Sequence, residues 1–416
     1  MYDLAIIGAG AGGVACAKAA AASGLKTVLI EKDKVSFGGT CLNKGCIPAK
    51  FFLNSLKSNR VGLSGKSWND SFIEKEALIE KIKAPATAYL QNQGIDIVWG
   101  QASFINENSL KAADQTIEAK NIVIAAGSSA KVILNHPKVI TDLFSQPKLP
   151  NKILIVGAGY VGVELASLLK GLGKDICVVE KEQRILSNFD SSLASRLKAV
   201  LNKKGITINT GKDLSGYNLD DFDMVISSVG RVPNTQSLGL ENLDIALDKS
   251  GWVITDQYMR TNIKNIYACG DIIGKKLLAY TAEYQGRLCV QNIKGGNEKE
   301  DYKGVAECVF SIPAAASVGI LEEEAKKKNI KYRIIKSNFL KFSSAYVYGD
   351  TDGFIEVLIG QEDRIIGAGI ISQSAAELIS IFSLCIKNNL KSTDLKKSLF
   401  IHPTLSEIIP LLLGVE

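Results

Sequence analysis

Several features that mark other classes of protein are absent from this sequence. No uninterrupted apolar run approaches the length of a membrane span. The amino terminus leads directly into an apolar strand pattern and lacks the charged and apolar regions of a signal or transit peptide. We therefore expect a cytoplasmic protein in a reducing compartment, without a membrane partner.

Concentrated charge of one sign is missing as well. The 49 basic and 43 acidic residues leave a formal net charge of +6, with no long basic run. Nucleic-acid-binding proteins concentrate positive charge on one face, so a nucleic-acid partner is not expected. With 416 residues, of which 46% are apolar and only nine are proline, the chain is long enough for two or three globular domains.

Eight cysteines are present, but only Cys41 and Cys46 form a motif, with four residues between them. Zinc sites use closer pairs and a second pair of ligands, which the sequence lacks, so no metal is expected. A helix from about Thr40 onward would place the two thiols on adjacent turns, close enough for a disulfide. Its N-terminal end would also lower the pKa of a thiol placed there. We interpret the pair as redox-active; a structural or metal-binding pair is the alternative.

A glycine-rich turn near the amino terminus predicts a dinucleotide site. The glycines at 8, 10 and 13 follow the apolar run Leu4–Ile7 and precede an alanine-rich helix, and a second strand then ends at Glu31. Such a turn brings the backbone close to a pyrophosphate at a helix N-terminus, and the acid accepts hydrogen bonds from ribose hydroxyls. The alternative is an ordinary strand–helix–strand unit with a glycine turn.

The same pattern recurs in the middle of the chain, which implies a second dinucleotide. Glycines stand at 157, 159 and 162, and the following strand ends at Glu180. A carboxylate there accepts a hydrogen bond from a free 2′-hydroxyl and repels a 2′-phosphate, so the second site favours NAD over NADP. Lys181 and Arg184 lie close by and could soften this preference, although solvated surface is the more common use of such residues.

Three further segments have the form of buried strands that end at glycine. They are Ile122–Gly127, Met224–Gly230 and Ile266–Gly270. Asp271, at the end of the third, is placed to bind a cofactor hydroxyl, with a helix cap as the alternative. From about residue 301 the pattern changes to alternating strands with predicted helices over 315–329 and 374–388, which indicates a separate α+β domain.

Together these motifs resemble the flavin-dependent pyridine-nucleotide disulfide oxidoreductases of class I, and within that family the dihydrolipoamide dehydrogenases. The resemblance extends from end to end. It implies an α/β fold with two Rossmann-like domains, one for FAD and one for NAD, and a C-terminal α+β dimerisation domain. The implied segments are an FAD domain with the redox disulfide (1–145), an NAD domain (146–265), a return to the FAD domain (266–300) and the dimerisation domain (301–416).

The resemblance also implies the residues of each site. The residues expected to line the FAD site are Gly8, Gly10, Gly13, Glu31, Gly39, Thr40, Lys50, Gly127, Asp271, Leu277, Leu278, Ala279 and Tyr280. Those expected at the NAD site are Gly157, Gly159, Gly162, Glu164, Glu180 and Gly230. The family's acid/base segment matches His402 as proton carrier and Glu407 as its orienting carboxylate.

The chemistry of a dithiol requires such a base. Oxidation to a disulfide releases two protons with two electrons, and His402 is one of only two histidines, the other being His136 beside a proline. A carboxylate such as Glu407 fixes the imidazole tautomer, as in a catalytic triad. A lone His-Pro is otherwise only a turn. In the family the histidine serves the disulfide of the opposite subunit, which implies a homodimer.

The resemblance implies oxidation of protein-bound dihydrolipoyl groups, with electrons passing through Cys41 and Cys46 to FAD and then, as hydride, to NAD⁺. Cys41 would exchange with substrate, Cys46 would contact the flavin, and Lys50 would pair with Glu164. The implied partners are lipoyl-bearing subunits of 2-oxo-acid dehydrogenase complexes or the glycine cleavage carrier. One alternative is an NADPH-dependent glutathione-type reductase, disfavoured by Glu180 and Gly162. A catalytically idle flavoprotein component of a complex is another, disfavoured by the intact cysteine pair.

The sequence departs from the family pattern at a few places. Lys44 replaces an apolar residue between the cysteines, and its charge would stabilise a thiolate and could raise the reduction potential. Ala49 replaces a hydroxyl residue. The chain is also shorter than typical members between residues 208 and 223 and around residues 60–69, which could alter partner docking but need not alter the chemistry.

Overall fold

The computed structural model describes residues 1–58 and 65–414. The sequence analysis places one shortened segment at residues 60–69, and residues 60–64 of it lie outside the described part. The helices are α1 (Ala11–Ala22), α2 (Gly39–Lys44), α3 (Cys46–Lys57), α4 (Trp68–Asn92), α5 (Tyr160–Gly171), α6 (Ser191–Lys203), α7 (Ala279–Ile293), α8 (Glu322–Lys327), α9 (Ser343–Val347), α10 (Ala375–Lys387), α11 (Ser392–Lys397) and α12 (Ile408–Gly414). None of these helices is long and apolar enough to cross a bilayer.

The strands form three main sheets and one short two-stranded connection. They are β1 (Tyr2–Ile7), β2 (Thr27–Glu31), β3 (Asp96–Trp99), β4 (Ala102–Asn106), β5 (Ser109–Ala112), β6 (Gln115–Ile124), β7 (Ser128–Ala130), β8 (Val139–Ile140), β9 (Lys152–Val156), β10 (Asp175–Glu180), β11 (Thr207–Thr210), β12 (Met224–Ser227), β13 (Arg231–Pro233), β14 (Ile266–Ala268), β15 (Ala306–Val309), β16 (Ala314–Gly319), β17 (Arg333–Asn338), β18 (Phe354–Ile359) and β19 (Ile365–Ser372).

The first sheet forms around β1, whose neighbours are β2 and β6, all parallel. Its order is β3-β2-β1-β6-β5-β4, and β14 joins β6 from much later in the chain. The parallel strands are continuous buried apolar runs, and α1 and α7, which pack against each other, contribute to the same core. The carboxyl ends of β1, β6 and β14 therefore meet at one edge, which is where ligands bind in such sheets.

The second sheet repeats this arrangement with order β11-β10-β9-β12-β8, and each of its pairs is parallel. The connection from β11 to β12, a segment predicted to be short, consists of two single 3₁₀ turns at Leu214–Gly216 and Leu219–Asp221. The antiparallel pair β7–β13 bridges the two sheets. The two Rossmann-like units predicted from the glycine motifs are thus present and are joined close to their ligand edges.

The C-terminal region is an antiparallel sheet of order β15-β16-β19-β18-β17 covered by helices. The helix predicted over 374–388 is confirmed by α10, but the helix predicted over 315–329 is wrong in its first half. Residues 314–319 instead form β16, which pairs with β15 and β19, and helix appears only at α8. Alanines favour helix in isolation, but here burial between two strands overrides that weak preference.

Some contacts cross the segment limits that were predicted from the sequence. Strand β8 pairs with β12 in the second sheet, although residues 1–145 are predicted to form the first domain. Leu238, Val253 and Met259 pack in the core of the first sheet, although they fall within residues 146–265. The limits themselves stay a prediction, and these contacts indicate that each Rossmann-like unit includes chain from both sides of them.

An aromatic stack supports the helix that carries the second cysteine. The ring of Phe52 on α3 is fully buried and lies parallel to the ring of Trp68, with centroids 4.1 Å apart. Phe144 covers it at 5.8 Å, and the Trp68 indole donates a hydrogen bond to the carbonyl of Gln146 at 2.7 Å. The stack therefore fixes α3 against α4 and the chain that enters the second unit.

Replacing Phe52 with alanine should remove this support. We expect Phe52→Ala to lower the free energy of unfolding by about 3–5 kcal/mol, because a large buried ring leaves a cavity. Denaturant unfolding followed by tryptophan fluorescence measures the change. Ile73→Ala is the matched control on α4, since Ile73 is 60% exposed, and it should change stability by no more than about 0.5 kcal/mol. Equal losses in both variants would contradict the role of the stack.

Candidate active site

The two cysteines of the motif lie at the junction of α2 and α3, and both are free thiols. The prediction of a helix from about Thr40 is confirmed at its start, because α2 begins at Gly39, but the helix is interrupted. Gly45 has φ −132° and ψ −114°, which ends α2, and α3 begins at Cys46. Cys46 is therefore the first residue of a helix, where the N-terminal dipole favours a thiolate.

The two thiols differ strongly in their tendency to ionise. A hydrogen bond from the Cys41 thiol, together with the positive charge of Lys50, lowers the pKa of Cys46 to about 7 against the opposing effect of burial. The same hydrogen bond and burial raise the pKa of Cys41 well above its usual value. When the pair is reduced, the negative charge therefore resides on Cys46 and the proton on Cys41.

Lys50 links Cys46 to the second Rossmann-like unit. It lies one turn after Cys46 on α3, and its Nζ is 3.8 Å from Oε2 of Glu164 on α5. The ammonium group also sits 3.3 Å from the centroid of the Phe310 ring, and the Phe310 amide donates to Oε1 of Glu164 at 2.8 Å. Burial lowers the pKa of Lys50 and raises that of Glu164, while each charge partly offsets the shift of the other.

The predicted influence of Lys44 on the thiols is not what the structure shows. Its Nζ lies 3.4 Å from Oδ2 of Asp142, a carboxylate at the entry to the second unit, and the lysine is largely exposed. Lys50, and not Lys44, is the cation that acts on Cys46. Ala49, the other departure from the family pattern, is buried in the core beside Phe52.

The first glycine turn leaves no room for side chains. A Cβ on Gly13 would lie 1.8 Å from the carbonyl oxygen of Gly8, and Gly8 itself has φ +101°, where residues with a Cβ are strained. Gly10 is the N-cap residue of α1, so no side chain accepts hydrogen bonds from the first amides of the helix. A Cβ on Gly39 would come within 2.8 Å of the Cα of Gly10. The turn and the start of α2 together form a narrow backbone cradle beside an open helix N-terminus. These residues fit a pyrophosphate.

The acid of this unit is fixed to the same turn. Oε2 of Glu31 accepts a hydrogen bond from the Ala9 amide at 2.6 Å, and Oε1 accepts one from Lys32 at 3.0 Å. Glu31 is buried, which raises its pKa in spite of these hydrogen bonds. Its contact with ribose hydroxyls stays a prediction from the sequence.

The second turn reproduces this geometry closely. Gly157 has φ +101°, and a Cβ on Gly162 would lie 1.9 Å from the Gly157 carbonyl oxygen. Gly159 caps α5 without a side-chain hydrogen bond, and Oε2 of Glu180 accepts from the Ala158 amide at 2.6 Å. The turn therefore also fits a dinucleotide. Arg184, which could soften the preference for NAD, pairs instead with Glu323 at 2.9 Å.

Asp271 takes part in a hydrogen-bond network that the sequence analysis does not foresee. Its Oδ2 accepts from the Ser128 hydroxyl at 2.5 Å and lies 3.4 Å from Nε of Arg231. Arg231 also donates to the Ser128 hydroxyl and carbonyl, each at 2.6 Å, and approaches the Thr40 hydroxyl at 3.4 Å. Gly127 and Gly230, both with positive φ, stand directly before Ser128 and Arg231. Ser128 and Arg231 are not among the site residues predicted from the sequence. Their positions directly after these two glycines are the signal that could have identified them.

The segment Leu277–Tyr280 leads from this network into α7. Leu278 caps α7 without a side-chain hydrogen bond, so the first amides of the helix are open at this point. Tyr280 donates its hydroxyl to the carbonyl of Ala306 on β15. The segment therefore lies between the first unit and the C-terminal sheet, in contact with both.

His402 and Glu407 form the predicted pair. Nδ1 of His402 lies 2.7 Å from Oε2 of Glu407, and the carboxylate is buried whereas the imidazole is 74% exposed. Among the described residues, no hydrogen bond or ion pair joins His402 to Cys41 or Cys46. One chain thus brings together the cysteine pair, Lys50 and Glu164, and holds the histidine pair separately on its C-terminal domain.

Comparison with protein-family models gives two matches that together cover most of the chain. Residues 2–286 match the model described as pyridine nucleotide-disulphide oxidoreductase. Residues 305–412 match the dimerisation domain of pyridine nucleotide-disulphide oxidoreductases. The two matches correspond to the Rossmann-like units and to the C-terminal sheet with its helices.

Individual proteins of known name are similar over the whole length. A dihydrolipoyl dehydrogenase of Bacillus subtilis is 33% identical, with 98% of this chain and 94% of that protein covered. A glutathione reductase of Burkholderia cepacia is 30% identical, with 98% and 97% covered. Among solved structures, the HOCl-induced flavoprotein disulfide reductase RclA of Escherichia coli has a TM-score of 0.92 at 26% identity, with 100% of both chains covered.

The ionisation of Cys46 can be tested by alkylation. In the reduced protein we expect the rate of Cys46 alkylation by iodoacetamide to rise with pH through a midpoint of about 7. Lys50→Met removes a charge that favours the thiolate, so the midpoint should move to higher pH and the rate at pH 7 should fall roughly three- to tenfold. Mass spectrometry of the Cys46 peptide measures the rate. Lys44→Met is the matched control and should leave the profile unchanged; a shift as large as that of Lys50→Met would show that the wrong lysine has been assigned.

Proposed function

Because the chain belongs to the pyridine nucleotide-disulphide oxidoreductase family, we propose that it is an NAD-dependent dihydrolipoyl dehydrogenase that oxidises protein-bound dihydrolipoyl groups. Family membership confirms the predicted fold class and the two cofactors, FAD and NAD(H). The observation that carries the proposal is the polarised thiol pair, whose thiolate member is connected through Lys50 and Glu164 to the second glycine turn.

The residues that would hold each cofactor follow from the two turns. The first turn, Glu31, Gly39 and Asp271 would bind FAD, and the second turn with Glu180 would bind NAD⁺. When bound, FAD supplies the capacity to take two electrons from the dithiol and to deliver them as hydride to NAD⁺. Lys50 and Glu164 lie between the two turns and would fix the electrostatic environment there.

The cysteines would act by thiol–disulfide exchange. A thiolate of the dihydrolipoyl group attacks Sγ of Cys41, the Cys41–Cys46 bond breaks, and Cys46 leaves as a thiolate. The second substrate thiol then attacks the mixed disulfide, which forms the lipoyl disulfide and releases Cys41, to be reprotonated. Cys46 has the lower pKa and is therefore the better leaving group, which supports Cys41 as the residue that exchanges with substrate.

His402 would accept the substrate's thiol proton, with Glu407 fixing its tautomer. The chain carries the family's dimerisation domain, which supports a homodimer. Leu399 and Ile401, beside His402, are 100% and 78% exposed, and Tyr348 donates to the carbonyl of Pro403 at 3.2 Å, which places the exposed end of α9 next to them. Such an apolar surface around a polar pair is typical of an interface, so we infer that His402 serves the cysteines of the partner chain.

The choice between candidate substrates depends on the second turn. Glu180 offers a carboxylate where NADP would place a phosphate, and Arg184 is engaged by Glu323. These contacts favour NAD and therefore disfavour a glutathione-type reductase that uses NADPH, although one relative carries the name glutathione reductase. The partners under this proposal are lipoyl-bearing subunits of 2-oxo-acid dehydrogenase complexes or the glycine cleavage carrier.

A cross-assay of substrate and nucleotide tests the proposal. We expect turnover of dihydrolipoamide with NAD⁺ and little turnover of oxidised glutathione with NADPH. Glu180→Arg removes the ribose acceptor and adds a counter-charge, so kcat/KM for NADH should fall at least about tenfold while that for NADPH rises. Steady-state kinetics with both nucleotides give the comparison. A wild-type preference for NADPH with glutathione would move the alternative function to first place.

The cross-subunit site can be tested by complementation. His402→Gln should slow dihydrolipoamide oxidation by about two to four orders of magnitude, the range for loss of a general base, while FAD stays bound and NADH still reduces it. Cys41→Ser should be equally inactive. Coexpressed, verified heterodimers of the two variants should regain part of the activity, because one of their two sites combines an intact Cys41 with an intact His402. Heterodimers without activity would place both residues in the site of one chain.

A further inference from the structure

Arg231 is not among the site residues predicted from the sequence, yet its side chain contacts two of them. It is the first residue of β13 and follows Gly230 at the end of the second sheet's ligand edge. Its side chain is 22% exposed, and its guanidinium extends to the first unit, where it lies near Asp271 and Thr40. A cation from one nucleotide unit therefore lies among the residues expected to bind the cofactor of the other.

The contacts of Arg231 have a specific geometry. Nε donates a hydrogen bond to the Ser128 hydroxyl and Nη2 donates one to the Ser128 carbonyl oxygen, each at 2.6 Å. The Ser128 hydroxyl accepts a hydrogen bond from Arg231 and donates one to Oδ2 of Asp271 at 2.5 Å. This fork cannot be reproduced by a lysine, which presents a single ammonium group.

One consequence concerns the two oxygens of Asp271. Oδ2 is occupied by Ser128 and lies near Arg231, whereas Oδ1 has no hydrogen-bond partner in the described part of the chain. The hydroxyl donor at 2.5 Å and the guanidinium at 3.4 Å both lie on the side of Oδ2, so together they hold the carboxyl group in one orientation. A carboxylate held by one oxygen can accept a cofactor hydroxyl with the other without first losing side-chain entropy.

We propose that Arg231 is the positioning residue of the FAD site: through Ser128 it fixes Asp271 so that the free oxygen accepts a hydroxyl of the cofactor. The same guanidinium also donates a longer hydrogen bond, at 3.4 Å, to the hydroxyl of Thr40, the residue before Cys41. The inference rests on the proposed function at one point, namely that Asp271 binds FAD. It adds that the second nucleotide unit supplies a residue on which FAD affinity depends.

FAD release from the holoenzyme tests the proposal, because flavin fluorescence reports binding without any turnover. We expect Arg231→Met to raise the dissociation constant for FAD at least about tenfold, as loss of a charge-assisted contact would. Arg231→Lys should lose most of the same affinity. Arg260→Met is the matched control: Arg260 is also half-buried and pairs with Tyr267 of β14, but its guanidinium lies 5.2 Å from the ring of Tyr258 and makes no ion pair among the described residues. It should stay within about twofold of wild type.

A double-mutant cycle separates positioning from general support of the fold. If Arg231 acts through Asp271, adding Arg231→Met to Asp271→Asn should weaken FAD binding by no more than about twofold beyond Asp271→Asn alone. Fully additive losses, or unchanged affinity in Arg231→Met, would overturn the proposal. Should Arg231→Met fail to fold, Ser128→Ala removes the relay and carries the same cycle. Wild-type protein that does not bind FAD would instead refute the proposed function.

Discussion

The ion pair between Lys50 and Glu164 joins three parts of the chain that fold on different sheets. Lys50 belongs to the helix of the second cysteine, Glu164 to the first helix of the second unit, and Phe310, which contacts both, follows the first strand of the C-terminal sheet. Charges that are largely removed from water need a partner and hydrogen bonds, so the three parts must come together for this half-buried pair to be stable. The low pKa of Cys46 comes first from the Cys41 hydrogen bond and in part from the Lys50 charge that this arrangement holds in place.

The two glycine turns have the same backbone geometry, although one is expected to bind FAD and the other NAD. In both units the acid at the end of the second strand accepts a hydrogen bond of 2.6 Å from the turn, at Ala9 and at Ala158. The acid thereby stabilises the turn before any ligand arrives. The ribose contact proposed for each acid and the shape of the phosphate cradle would consequently be properties of a single local structure.

Local patterns were sufficient to predict most of the fold. Glycines with obligatory close contacts and strands of continuous apolar residues identified both Rossmann-like units. The pairing of His402 with Glu407 came from the family resemblance, and their nearness in sequence is compatible with it. The break at Gly45, strand β16 and the roles of Lys44 and Arg231 could not be predicted in this way. The last three depend on what the rest of the chain places opposite them: a neighbouring strand for the alanines of β16, Asp142 for Lys44, and Ser128 for Arg231.

The fully exposed Leu399 and the nearly bare Ile401 have a consequence for the protein in dilute solution. If the proposed homodimer covers these apolar side chains, folding stability becomes a function of protein concentration. A thermal midpoint for this chain then has meaning only together with the concentration at which it is measured. By mass action, the protein's stability in the cell is set partly by how much of it the cell makes.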